Sequence, residues 1–176
     1  MKYNIVNVVA TGSLAQHINL HEIASLPFTI HNPEIYSGRA AYLKTPEMNG
    51  KTIIFSTGKI ISIGTKSPIL AAHDLQYTVK YLAKHHLIEP VTIRPKTRNI
   101  VAVTTFTRNL DLENTVDLIG AMYEPEQFPG AILKTDKTNA TYLIFQSGKI
   151  VIAGTKSVKE LEISVQIIND ILSQYE

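Results

Sequence analysis

The chain has 176 residues, 44% of them hydrophobic, and a mean hydropathy of +0.04, so it can bury a core as one or two small domains and is not expected to be disordered. The absence of cysteine excludes disulfides and thiolate metal sites. Net charge is only +2, split as +3 over residues 1–92 and −1 over residues 93–176, which leaves room for the two halves to meet different partners.

The N-terminus has no apolar run behind a basic start, and no long uninterrupted apolar stretch follows, so neither a signal peptide nor a membrane span is expected. "NIVNVVATG", starting at Asn4, is β-branched and reads as a strand. A helix of three or four turns is expected next, with Leu20, Ile23, Ala24 and Leu26 on its apolar side. Strands follow around residues 39–44, 51–56 and 59–64, the last two joined by the tight turn "STGK". Ser67 caps a long helix with Pro68 at its first position, running to about His85. "EPVTIRPKTR", residues 89–98, reads as a link. The order then recurs: "NIVAVTTFT" from Asn99, a helix with Leu112, Val116, Ile119 and Met122, strands around residues 131–134, 140–145 and 149–154, and a last helix opened by a capping box of Ser157 and Glu160.

This recurrence is a tandem repeat. Residues 18–36 lie over residues 110–128 without a gap, so that Tyr36 falls on Phe128. "IIFSTGKIISIGTKS" at 53–67 matches "LIFQSGKIVIAGTKS" at 143–157, and Asn4-Ile5-Val6 matches Asn99-Ile100-Val101. On that matching the first copy is longer by three residues before its helix and by two between Tyr36 and Phe55. Two repeats are expected, 1–92 and 93–176, packed as one α+β body.

Strand alternation makes both faces of each sheet apolar. Two helices per repeat cover one face. The other carries Val6, Ile53, Phe55, Ile61 and Ile63, and in the second copy Val101, Leu143, Phe145, Val151 and Ala153. An uncovered apolar patch of that size marks a binding surface. Lys59 and Lys149 at the turns, Lys66 and Lys156 after the last strands, and Lys44 and Lys134 nearby give it a cationic rim. Apolar floor and cationic border suit an opened DNA minor groove, whose walls are phosphates. Periodicity alone equally allows a sheet covered on both faces; the helix count argues against it.

Enzymatic readings are weaker. "STGK" and "QSGK" resemble the end of a phosphate-binding loop, but the earlier Gly is missing and a strand follows. His17 and His21 have helical ligand spacing without a third ligand, and surface positions are expected for them. No nucleophile–base set and no carboxylate pair inside an apolar segment stands out. No enzyme, cofactor or metal is expected.

"NIVNVVATGSL", "YEPEQFPG" and "LIFQSGKIVIAG", in this doubled layout, resemble the TATA-box-binding protein family in its short archaeal form, over residues 3–175. The resemblance implies a pseudo-twofold saddle of ten antiparallel strands with helices on the convex side. It implies a transcription initiation factor that binds A/T-rich promoter DNA in the minor groove and kinks it with two aromatic pairs, here Phe128 with Phe145 and Phe55 with Tyr36. Pro129 adjoins the second pair. Asn4 and Asn99 match the family's two central Asn, whose amides donate to minor-groove acceptors. The Thr that the family usually sets beside each Asn is replaced by Ile63 and Ala153, so A/T preference is expected to rest more on shape. Asn7 and Ser62 are read as facing the helices. The resemblance further implies that the loop of Glu124, Glu126 and Gln127 meets transcription factor B, with RNA polymerase reached indirectly; Asn32, Glu34 and Ile35 make the first copy's loop less acidic. It leaves open a homodimer through the concave face when DNA is absent, and places the protein in the cytoplasm of an archaeon with the nucleoid. A second class of function stays open: an accessory module that binds protein or RNA–DNA duplex without sequence preference.

Overall fold

The computed structural model describes residues 1–174, and at Ile35 and Tyr36 the backbone only. The described residues form nine strands and four α-helices in an α+β arrangement, and contacts divide the chain into two units, Asn7–Arg98 and Met1–Val6 with Asn99–Glu176.

In the unit Asn7–Arg98, β1 (Tyr3–Ser13) leads to α1 (Leu20–Ala24), β2 (Thr29–Ile30), a 3-10 turn at Ile35–Gly38, β3 (Ala40–Leu43), β4 (Lys51–Phe55), β5 (Lys59–Thr65) and α2 (Pro68–Lys84). The antiparallel strand order is β2-β3-β4-β5-β1. In the other unit β6 (Lys96–Thr105) is followed by α3 (Leu112–Ile119), β7 (Ala131–Lys134), β8 (Thr141–Ile144), β9 (Lys149–Thr155) and α4 (Val158–Ser173), in the order β6-β9-β8-β7, with the first residues of β1 bordering β6.

The expected tenth strand is reduced to a single bridge, Met122 with Ile132, at the place where the first repeat forms β2. The first helix of each repeat is also shorter than the three or four turns expected. α1 has five residues: Asn19 caps it, accepting from His21 N–H at 3.1 Å, and Pro27 follows too closely for the helix to continue. α3 stops after eight residues because Gly120 takes the left-handed conformation at φ 69°. The long helices start as expected. Ser67 Oγ accepts from Leu70 N–H at 3.2 Å, with Pro68 first in α2, and Ser157 Oγ accepts from Glu160 N–H at 3.1 Å. The reciprocal arm of the capping box goes one residue further out: Glu160 accepts from Lys156 N–H at 2.8 Å.

The helices cover one face of each sheet. Val8, Ile54, Ile60, Leu75 and Leu82 are fully buried in the first core, and Ile100, Tyr142, Ile144, Ile150, Ile152 and Ile168 in the second. Each such aliphatic side chain contributes about 1.5–3 kcal/mol by leaving water. Ser62, on this face as expected, is buried with no partner for its hydroxyl among the described residues. Asp74 of α2 is equally buried but well used. Its carboxylate accepts from Gly50 N–H at 2.6 Å and Asn49 N–H at 3.1 Å, and so ties the helix to the turn before β4.

Asp74→Ala removes that acceptor from two backbone donors. We expect a loss of about 2–4 kcal/mol in urea unfolding, with Asp74→Asn intermediate because an amide oxygen replaces only part of the carboxylate.

Candidate nucleic-acid interface

The helix-free face of each sheet is set by strand register. In the first unit Lys51 and Ile53 of β4 pair across to Ile63 and Ile61 of β5, while Ile53 also meets Tyr42 of β3 and Phe55 pairs with Ala40 of β3. Ile61, Ile63 and Phe55 are half-buried, and Ile53 is only 6% exposed because Tyr42 and Ile61 flank it. Lys51 Nζ stands 5.0 Å from the centre of the Tyr42 ring. In the second unit Leu143 pairs with Val151 and Ile132, and Thr141 with Ala153 and Lys134; the apolar members are again half-buried. Each face is therefore an apolar floor whose side chains shield one another. Lys59, Lys66, Lys149 and Lys156 are exposed, as are Lys44 and Lys134. Lys44 Nζ donates to Met48 O.

Both sheets carry the same irregularity. Val8 pairs with Thr65 and Ala10 with Ser62, so Val9 alone opposes Ile63 and Gly64. Ile100 pairs with Thr155 and Ala102 with Ile152, so Val101 alone opposes Ala153 and Gly154. These are bulges whose second residue is Gly at φ 86° and 102°, a conformation other residues rarely adopt. The N–H of each bulge Gly turns to a side chain: Asn7 Oδ1 accepts from Gly64 N–H at 2.8 Å, and Asn99 Oδ1 from Gly154 N–H at 2.8 Å. An N–H can face only the amide oxygen, so both side-chain amides have a fixed orientation. Neither Nδ2 has a partner among the described residues.

This pairing corrects the repeat register. The counterpart of Asn99 is Asn7, not Asn4, and the counterpart of Val101 is Val9, not Val6. Along β1, Asn4 and Val6 alternate in phase with the buried Val8 and Ala10, while Asn7, Val9 and Thr11 take the helix-free side. Asn7 was expected to face the helices; it faces away from them. The signal was present: extending the gap-free match of residues 18–36 with 110–128 toward the N-terminus lays Asn7 on Asn99. The tripeptide Asn-Ile-Val at Asn4 is a decoy three residues away.

Phe128 and Phe145 form an edge-to-face pair with centroids 5.8 Å apart. Gly130 makes room for it, since a Cβ there would lie 2.9 Å from Phe128 and 3.0 Å from Phe145. Before the pair, Gln127 N–H and Phe128 N–H both donate to Glu124 O at 2.9 Å, a tight turn that leaves Glu124, Glu126, Gln127 and Pro129 exposed. In the first repeat Asn32 Oδ1 accepts from Glu34 N–H at 2.8 Å. The side chain of Tyr36 lies outside the described residues. His17 and His21 are exposed, and no metal-binding group of three or more His, Asp or Glu occurs among the described residues. No helix of the described residues is long and apolar enough to cross a membrane.

The family profile described as "Transcription factor TFIID (or TATA-binding protein, TBP)" matches residues 2–85 and 94–175. The chain is 38% identical over 158 residues to the TATA-box-binding protein of Cenarchaeum symbiosum, covering 89% of this chain and 86% of that one. It is 37% identical over 166 residues to that of Pyrobaculum calidifontis, covering 93% and 82%. Among solved structures it matches Methanococcus jannaschii TBP with a TM-score of 0.86 at 29% identity, over 99% of both chains.

Gly130→Ala places a methyl group against both rings. We expect the cross-peaks between the Phe128 and Phe145 rings to disappear from NMR spectra, at a cost of about 1–3 kcal/mol from overpacking.

Proposed function

From the premise that this chain belongs to the TATA-binding protein family, a family of DNA-binding transcription factors and not of enzymes, we propose that it binds A/T-rich promoter DNA through the minor groove, using the helix-free face of each repeat. The observation that carries this reading is the pair of Asn side chains. With each Oδ1 held by a bulge Gly, each Nδ2 offers its donors away from the sheet. On the minor-groove floor, A N3 and T O2 are acceptors, whereas G·C adds a donor. A surface whose central polar groups are fixed donors in an apolar floor therefore favours A·T. Val9, Val101, Ile53, Ile61, Leu143 and Val151 supply that floor; Asn7 and Val9 replace Asn4 and Val6 in the proposed interface.

Ile63 and Ala153 bring no hydroxyl beside the Asn amides, so discrimination rests on those amides and on how easily A/T steps deform. Phe128 and Phe145, with Phe55 and Tyr36 in the first repeat, are the proposed wedges. Unstacking a base step costs a few kcal/mol, offset by the contact a bent duplex allows; this family is itself a standard example of that mode. Lys59, Lys66, Lys149 and Lys156 border the floors and suit phosphates. The exposed acidic turn of Glu124 and Glu126 is the proposed docking point for transcription factor B, and through it for RNA polymerase.

Asn99→Asp keeps an acceptor for Gly154 N–H but removes the outward donors. We expect affinity for an A/T-rich duplex to fall about 5–150-fold, equivalent to about 1–3 kcal/mol, while the unfolding midpoint is kept. In end-to-end fluorescence transfer on a labelled duplex, Phe128→Ala and Phe145→Ala should each reduce the bend. A wild-type protein that binds weakly, without bending and equally well after a central G·C swap would favour the accessory-module reading instead.

A further inference from the structure

The segment joining the repeats is anchored at both ends within the first unit. Gln16 Oε1 accepts from Glu89 N–H at 3.1 Å, and Gln16 Nε2 donates to Glu89 O at 3.2 Å, closing a peptide-like pair. Four residues on, Ile93 is buried against β1, where a Cβ on Gly12 would meet its Cδ1 at 3.3 Å. β6 then begins at Lys96, three residues earlier than the expected link would allow. The residues between and beyond these anchors are therefore presented in defined places, and three of them are cationic.

Arg94, Lys96 and Arg98 line a cleft of about 420 Å³ together with Lys59, Thr11 and Thr57, and no Asp or Glu lines it. Arg98 Nε donates to Thr11 Oγ1 at 2.9 Å, which fixes the guanidinium while using one of its N–H groups. Four positive charges gathered without a carboxylate repel one another, and an anion entering the cleft relieves that repulsion. The donor set is the one that matches phosphate: planar guanidinium forks, ammonium groups and hydroxyls. Thr11 and Lys59 take the helix-free side while Lys96 and Arg98 alternate in phase with the buried Ile100, so the cleft runs from the border of the proposed DNA floor to the other side of β6. In the second repeat Val103 stands in the place of Thr11, so the hydroxyl that holds Arg98 has no counterpart there.

We propose that this cleft clamps a backbone phosphate of bound nucleic acid beside the first repeat. That the nucleic acid is A/T-rich DNA rests on the function proposed above; the clamp itself does not. Free polyphosphate carries the same chemistry and is separated by the experiment.

The test uses the full chain with Arg94→Ala, Lys96→Ala and the double substitution, and measures duplex binding by fluorescence anisotropy across a salt series. Removing one phosphate interaction should lower the slope of log affinity against log salt by about 0.9, with A/T preference unchanged. The paired conservative variants Arg94→Lys and Lys96→Arg should keep the slope, as should Lys80→Ala on α2. An unchanged slope in the double variant overturns the clamp. Tripolyphosphate that shifts the NMR signals of Arg94 and Lys96 while the duplex slope stays unchanged assigns the cleft to a free ligand and also overturns it. A slope that falls in the variants, with a wild type indifferent to A/T content, sustains the clamp and overturns the sequence-preferring function.

Discussion

Each repeat has more apolar sheet surface than its helices can cover. Ile54 and Ile60 in one unit, and Ile144 and Ile150 in the other, bury themselves completely beneath the long helices. Their strand neighbours Ile53, Ile61, Leu143 and Val151 alternate to the far side, where no helix lies. Those residues gain shelter only from cross-strand neighbours, which leaves most of them half-buried. Such a surface is stable enough to persist in water and apolar enough to gain by meeting a partner.

Polar groups on such a floor matter because they are few. The bulge in each sheet frees a Gly N–H, and an Asn of the neighbouring strand satisfies it. The backbone thereby decides which end of the amide points outward. A bulge that would otherwise leave a donor unpaired becomes a device for aiming two other donors. The surrounding positions differ between repeats. Ile63 is opposed by Lys51, whose ammonium stands near the Tyr42 ring, while Ala153 is opposed by Thr141. The cationic cleft adds to this inequality, since Thr11, which holds Arg98, is replaced by Val103 in the second repeat. Duplication supplied two similar floors, and local substitutions made them chemically distinct.

Legibility varied with the range of the interaction concerned. Helix starts were readable at Ser67-Pro68 and Ser157 because a cap acts over three residues. α1 and α3 are shorter than their apolar pattern implies, since Pro27 and Gly120 outweigh that pattern. The expected tenth strand depended on whether a partner edge accepted more than one residue, which Met122 does not reveal. The repeat register failed at a local coincidence. Asn4-Ile5-Val6 copies Asn99-Ile100-Val101 letter for letter, yet strand pairing selects Asn7-Val8-Val9. Pairing answers to the buried set Val8 and Ala10 and to the bulge at Gly64, not to similarity of spelling.

By itself the sequence determined the duplication and the apolar character of both strand faces, because these are properties of residue order and alternation; the pairing of Phe128 with Phe145 was implied only by the family resemblance. Tertiary structure decided which Asn meets the bulge Gly, how its amide is turned, and that Arg94, Lys96, Arg98 and Lys59 share one cleft. Those outcomes depend on register between strands and on the path of a connecting segment, both set by hydrogen bonds and packing between residues far apart in the chain.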